Sequence, residues 1–295
     1  MHDSYLKGIP WYRFKDFLSL TANRFSILKE LLDEAKVEYS VLDIGGNRHL
    51  VIAPPPPEEE YLRRPPIILV AHYDRAQGSP GANDNSAGVF ILLEAAINLK
   101  RDNAKNWIII FTDKEELKTG ESIQTQGAYT LATGLKNVKM EKTKIFCFDA
   151  CGAGDTLLIS TTLEYLLKKE GGGEKMRESI IELRNFALDT SRNLGMNKVL
   201  LAPVPFSDDA GFFRAGLAAQ TITILPSSEC IQLVSELRKN LEFTEVLINA
   251  ELRKANRSKS IPETWRYLNS PSDSYLRLTP QHFRVWRRFA EALCT

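Results

Sequence analysis

Four short, uninterrupted apolar runs punctuate the middle of the chain: PIILVA ending at Ala71, WIIIF at Phe111, KIFCF at Phe148 and QTITIL at Leu225. Each is shorter than an ordinary helix and rich in β-branched or aromatic residues, so each predicts a strand buried on both faces. Helical segments separate them: EAAINLK after the first, AYTLATGL after the second, and the amphipathic MRESIIELRNFALDTSRNLG between the third and fourth. Strands alternating with helices predict an α/β fold with a mostly parallel central sheet covered on both faces. Upstream, RFSILKELLDEAKVE places Ile27, Leu28, Leu31 and Leu32 on one helical face. YSVLDIGG and RHLVIA then read as paired strands, with Gly45-Gly46 as the turn. The proline-rich connector PPPPEEEYLRRPP can neither join a sheet nor propagate a helix, and reads as an exposed loop. CIQLVSELRKNLEFTEVLINAELRKANRS predicts a second long helical stretch, and PQHFRVWRRFAEAL a closing helix that includes His282. EGGGEK reads as a flexible turn rather than a boundary, repeats are absent, and residues 1–295 are expected to form one domain.

Composition narrows the class without naming it. Hydrophobic residues make up 43% and charged residues 25% of 295, a balance suited to a globular protein with a sizeable core. A formal net charge of +1 gives no global field that would favour nucleic acid or an acidic membrane. No apolar run approaches the roughly 18 residues of a membrane span, and MHDSYLKGIPWYRFKDF lacks an apolar core of signal-peptide length. The four cysteines are too few and scattered for a disulfide framework; Cys147 and Cys151 read as buried thiols at a strand end. A cytoplasmic location is the default expectation.

The chemistry collects where the strands end. PIILVA runs into His72, Tyr73 and Asp74; WIIIF into Asp113, Lys114, Glu115 and Glu116; KIFCF into Asp149. Open α/β sheets bind ligands beyond the carboxyl ends of their strands, so three strands deliver one imidazole and several carboxylates to one rim. Any single strand end reads more readily as a solvated turn, and Glu115-Glu116 as an acidic first helical turn; the three together do not. One imidazole among carboxylates, without thiolate, suits catalytic Zn²⁺, Mn²⁺ or Co²⁺. Asp74, two residues beyond His72, has the spacing to point to the same side and orient its ring. The glycines and Pro80 allow the chain to reverse and return Asp84 toward His72. The adjacent glutamates suit a division of labour, one on metal and one taking a proton from water.

H-x-D at His72–Asp74, GANDNSAG at Gly81–Gly88, the Glu115-Glu116 pair and Asp149 after its strand together resemble the co-catalytic zinc aminopeptidase family, whose relatives include glutaminyl cyclases. Order and spacing match from about residue 67 to 155; SDDAGFFRAG and WRYLNSPSDSYLRL resemble the family's later S-D-H and H-S/T-P-x-D segments. The resemblance implies a doubly wound, three-layer α/β/α sandwich with a mixed, mostly parallel sheet. It makes Asp84 a bridging carboxylate between one or two zinc ions. His72 and Asp149 would complete one site, Glu116 would bind the other metal, Glu115 would be the general base and Asp74 would orient His72. The implied reaction is attack of metal-bound hydroxide on an N-terminal peptide bond of a peptide or aminoacyl substrate.

Two positions depart from that pattern. The family's final histidine ligand is here Asn269, whose amide oxygen is a neutral, weaker donor at zinc. The S-D-H histidine is here Asp209, preceded by Asp208, which is free to bind a substrate amine or, equally, to cap the helix that follows. His2 and His49 lie far from the motifs and are expected at the surface. The loss of two histidines motivates an alternative, a peptidase homologue that binds peptide without turnover. Acyl transfer of the glutaminyl-cyclase kind ranks last, because it relies on the Asp–Glu–His site that is altered here. Phe206, Phe212 and Phe213 read either as a pocket wall or as core.

Overall fold

A computed structural model describes residues 5–56, 64–171, 173–240, 242–255 and 260–295. The centre of the proline-rich connector and Gly172 of EGGGEK lie outside the described residues. The four apolar runs are strands: β3 (Ile67–His72), β4 (Trp107–Thr112), β5 (Lys144–Phe148) and β8 (Gln220–Leu225) are mutually parallel neighbours in the order β4-β3-β5-β8. β1 (Ser40–Ile44) and β2 (Asn47–Ile52) form the expected hairpin, and β2 joins β4 antiparallel. Two strands beyond the expectation complete an eight-stranded mixed sheet: β6 (Thr156–Ser160) lies antiparallel to β8, and β7 (Val199–Ala202) flanks it in parallel.

Alternation along these strands builds the two covering layers. Leu69, Ala71, Ile109, Phe111, Phe146 and Phe148 face a core shared with α2 (Arg24–Glu34), α3 (Ala87–Arg101) and α12 (Phe283–Cys294). Ile68, Val70, Ile110, Ile145 and Cys147 face the opposite layer, against α4 (Gly127–Asn137) and α7 (Asp208–Arg214). The result is the α/β/α sandwich with a mixed, mostly parallel sheet. In α2, Ile27, Leu28, Leu31 and Leu32 are buried as their spacing predicts, and Asn23 caps the first turn by accepting from the Ser26 amide.

Some expectations give way. The long stretch after Cys230 is three helices, α8 (Ser227–Lys239), α9 (Phe243–Ile248) and α10 (Ala250–Ala255), because extended backbone at Asn240 and Asn249 interrupts it. His49 is buried, with Nδ1 accepting from the Asp113 amide, because it faces inward on β2. His282 precedes the closing helix in a 3₁₀ turn, where its Nδ1 meets the Gly154 carbonyl at 2.7 Å. All four cysteines are free and buried. Among the described residues, no helix is long and apolar enough to cross a membrane.

Candidate functional site

Parallel register brings the strand ends together: His72 pairs with Thr112 across β3–β4, and Val70 pairs with Cys147 across β3–β5. The chain leaves β3 at His72, reverses through Gly78 and Gly81, and re-enters the rim through the irregular turn Ala82–Ser86 before α3. His72 Nε2 then lies 3.2 Å from Asp84 Oδ1 and 3.5 Å from Asp149 Oδ1, and the ring's other nitrogen lies 3.4 Å from Asp74 Oδ1. His72, Asp84 and Asp149 offer three donor atoms within 4.8 Å of one another. Zinc bonds of ~2.0–2.1 Å directed to the corners of a tetrahedron space their donors by roughly 3.3 Å, which the two Nε2–oxygen separations match.

The loop carrying Asp84 is held from every side. Asn83 Oδ1 accepts from the Gly152 amide at 2.6 Å, and Asn85 Nδ2 donates to the Phe148 carbonyl at 2.7 Å, so both asparagines of GANDN stitch it to the end of β5. Gly88 is glycine for the same reason: a Cβ there would sit 2.2 Å from Asn85 Oδ1. Asp273, from the NSPSD segment, accepts from the Asn83 and Asp84 amides at 2.8 and 3.0 Å. Asp74 performs two tasks at once. Besides facing His72, it accepts from the Glu115 and Glu116 amides at 3.1 and 3.0 Å, fixing the turn that presents both glutamates.

Arg24, at the start of α2, is a residue that motif reasoning misses. Its buried guanidinium uses all five N–H groups: Nε on the Phe17 carbonyl, Nη1 on the Tyr73 and Asp74 carbonyls, Nη2 on the Pro80 carbonyl and Ser86 Oγ. It therefore ties the end of β3 to both sides of the Asp84 turn while lying over the Phe17 ring at 4.6 Å. An arginine before an amphipathic helix looks like a solvated charge; only tertiary structure reveals the acceptors.

The rim opens into a cavity of about 1460 Å³ walled by Asp84, Glu115, Glu116, Asp149 and Asn269. His72 Nε2, Asp84 Oδ1, Glu116 Oε1, Asp149 Oδ1 and Asn269 Oδ1 are all buried atoms without a hydrogen-bond partner among the described residues. Burial raises the pKa of Glu115 and Glu116 well above the usual carboxylate range and raises that of Asp84, with Glu116, Asp84 and Asp149 respectively adding repulsion. Asp74 moves the other way: burial opposes ionisation, but His72 and the two glutamate amides outweigh it. Burial also disfavours a charge on His72, yet Asp149, Asp74 and Asp84 raise its pKa on balance. A floor of crowded carboxylates with orphaned donors is the arrangement a divalent cation satisfies, and the all-O/N donor set fits a catalytic Zn²⁺, Mn²⁺ or Co²⁺.

Asp208 is buried behind this floor, accepting from Thr112 Oγ1 at 2.6 Å, and it does not line the cavity. Both aspartates lie in the first turn of α7 rather than at its cap; Asp209 accepts from the Ser207 amide at 3.0 Å. Of the three phenylalanines, Phe206 lines the cavity, Phe212 is in the core, and Phe213 is half-buried against Leu163, Leu167 and Ile180.

The sequence model described as peptidase family M28 matches residues 51–292. No curated protein matches the chain. Among solved structures, the chain resembles a zinc aminopeptidase from Bacillus subtilis at 17% identity and a TM-score of 0.52, over 83% of this chain and 49% of that one. It resembles a glutaminyl cyclase from Porphyromonas gingivalis at 15% identity and TM-score 0.60, over 99% and 97%. An aminopeptidase from Legionella pneumophila matches at 14% identity and TM-score 0.61, over 100% and 68%. The chain thus spans about half the length of the Bacillus enzyme, and at these identities the likeness speaks to the fold.

Proposed function

The chain belongs to peptidase family M28, and from that footing we propose that it is a metal-dependent peptide hydrolase acting at peptide N-termini. The observation that carries the proposal is the set of orphaned buried donors, one each from Asp84, Glu116, Asp149 and Asn269 on the wall of one cavity, with His72 Nε2 within 3.5 Å of the Asp84 and Asp149 oxygens. His72, Asp84 and Asp149 would hold one ion; Asp84, Glu116 and Asn269 would hold a second more weakly. When bound, the metal would polarise the scissile carbonyl and acidify water. Asp74 keeps the His72 ring turned toward Asp84 and Asp149 while fixing the backbone of Glu115. Glu115, whose carboxylate is within reach of Gln126 Nε2 at 3.4 Å, takes the proton of the attacking water and returns it to the leaving amine. Burial that raises its pKa makes it a stronger base than an exposed glutamate once a cation offsets its neighbours' charge. Asp208 supports Thr112 from behind, so the substrate amine is assigned to the cavity carboxylates instead.

Asn269 favours one alternative specifically: with a neutral amide where the family places imidazole, the chain would bind peptide without turnover. Metal analysis of protein purified without chelator, paired with hydrolysis of leucine p-nitroanilide and of unblocked short peptides, separates the two. Near-stoichiometric zinc, manganese or cobalt with metal-dependent turnover supports the hydrolase. Absence of metal, with no activity on adding any of the three, would overturn it; metal without turnover would favour the binding protein.

A further inference from the structure

The cavity is not uniformly acidic. Besides the carboxylates, the cavity is lined by Arg253 of α10 and by the apolar side chains of Phe206, Ile248, Trp265 and Leu268. Arg253 is half-buried, and one Nη1 hydrogen is spent on the Leu247 carbonyl at 2.5 Å, which anchors the side chain to the end of α9. Among the described residues, no carboxylate lies within ion-pair distance of it. Lys169, also on the cavity wall, is by contrast neutralised by Glu245 at 2.5 Å. Burial lowers Arg253's pKa, and the charges that act against that are Asp84, Glu115, Asp149 and Glu116, so its guanidinium stands in the field of the whole acidic floor. A half-buried guanidinium with donors that meet no acceptor among the described residues is costly unless something accepts from it, and its planar fork matches a carboxylate in two parallel hydrogen bonds.

We propose that Arg253 is a carboxylate-binding subsite, and that the cavity takes short unblocked peptides whose free C-terminal carboxylate lies on Arg253 while the N-terminal residue lies at the acidic floor. This rests on the hydrolase reading for which end is cleaved, but the subsite itself does not depend on turnover. The layout orders the ligand: amine and scissile carbonyl toward Glu115 and the metal ligands, apolar side chains along Phe206 and Trp265, carboxylate at Arg253. Each added residue lengthens an extended peptide by at most about 3.3–3.6 Å, so the advantage of the free carboxylate peaks at one chain length and falls on either side. Larger peptides lose that contact, which makes Arg253 a selector for short ones.

The test uses a non-hydrolysable ligand, so that binding is read apart from catalysis. Di-, tri- and tetrapeptides of leucine with the first peptide bond reduced to CH₂–NH are titrated calorimetrically into the metal-loaded protein, each as free acid and as C-terminal amide. For one length the wild type binds the acid roughly tenfold or more tighter than the amide, the range for charge-assisted hydrogen bonds. Arg253→Ala and Arg253→Gln abolish that preference while leaving the amide's affinity within about twofold, which also reports an intact cavity. Equal affinity for acid and amide in the wild type at every length, or equal weakening of both by the substitutions, overturns the subsite. If the preference appears and is lost as expected while the parent peptides are never hydrolysed, the subsite stands and the hydrolase reading falls.

Discussion

Replacing Arg24 with lysine tests whether the site is held by its second layer of contacts as much as by its motif. The guanidinium satisfies five acceptors, four of them backbone carbonyls, from a buried position; an ammonium carries three donors. At least two acceptors are therefore left without their partner. At about 1–3 kcal/mol for each buried group unsatisfied, Arg24→Lys costs about 2–6 kcal/mol. Against a total stability of ~5–15 kcal/mol the variant folds but is markedly weakened. A second effect falls on the site itself. Because Arg24 joins the carbonyls of Tyr73 and Asp74 to Pro80 and Ser86, loosening it lets Asp84 drift relative to His72, and metal affinity falls about 10–100-fold, as for other supporting contacts. Urea denaturation of chelated protein measures the first effect, and competition with a chromogenic chelator measures the second. Arg101→Lys, at an exposed pair with Asp102, is the control and should stay within about 0.5 kcal/mol of wild type. If Arg24→Lys matches that control in stability and keeps wild-type metal affinity, the clamp has no energetic substance and the reasoning fails.

Three further outcomes follow from the same geometry. Glu115→Gln should lower peptide hydrolysis about 10²–10⁴-fold with metal content unchanged, as for removal of a general base; near-normal turnover would remove Glu115 from the chemistry. Asn269→His should tighten binding of a second metal by at least about tenfold, ~1.4 kcal/mol, read as stoichiometry under limiting chelator; the backbone there has φ of 59°, a region histidine tolerates as asparagine does. Asp209→Asn addresses pH. Burial raises the Asp209 pKa from 3.8 to about 6, so the folded state holds its proton more tightly than the unfolded state. Its contribution is therefore most favourable below about pH 4 and is lost as pH rises through about 6. The stability of Asp209→Asn relative to wild type should climb over that window by up to about 3 kcal/mol, at ~1.36 kcal/mol per pKa unit. A difference that stays flat with pH in chelated protein would show that Asp209 carries no such burden.

How much of this was legible in the sequence follows from how local each signal is. β3, β4, β5 and β8 announce themselves because strands buried on both faces are continuous apolar runs. Their parallel order then places His72, Glu115-Glu116 and Asp149 on one rim without further information. β6 was missed although TLLIS is buried throughout, because five residues that close to a glycine-rich turn carry no periodicity of their own. β7, an edge strand of four residues of which only Ala202 is buried, carries even less. His49 misled for a related reason: an imidazole far from the motifs reads as a surface residue, yet an inward position on β2 buries it under Gly127, where a Cβ would come within 3.0 Å of the ring. Arg24 and Arg253 lie outside the strand ends and the matched motifs, and Arg24 acts through carbonyls 49–56 residues away, so no spacing rule reaches them. Asp273 sits in the segment that resembles H-S/T-P-x-D, but its hold on the Asn83 and Asp84 amides shows only in the fold.

The same distinction bears on Asn269. Loss of an imidazole, read from sequence alone, looks like loss of a site. In the fold, Asn269 Oδ1 is nonetheless buried and, among the described residues, without a partner; Asn269 lines the same cavity as Glu116, whose Oε1 is in the same condition. A loop released from function would be expected to turn such an amide to water or to a backbone partner, since burying a polar group unsatisfied costs free energy. Asp273, four residues on, accepts from the Asn83 and Asp84 amides, so the segment remains docked on the Asp84 turn. On the proposed reading the two ends of the site are unequal rather than one being lost. His72, Asp84 and Asp149 would offer an imidazole and two charges to one ion, while Glu116 and Asn269 would add one charge and a dipole to Asp84 at a second. Filling should then be sequential, with the first equivalent of metal bound far more tightly than the second.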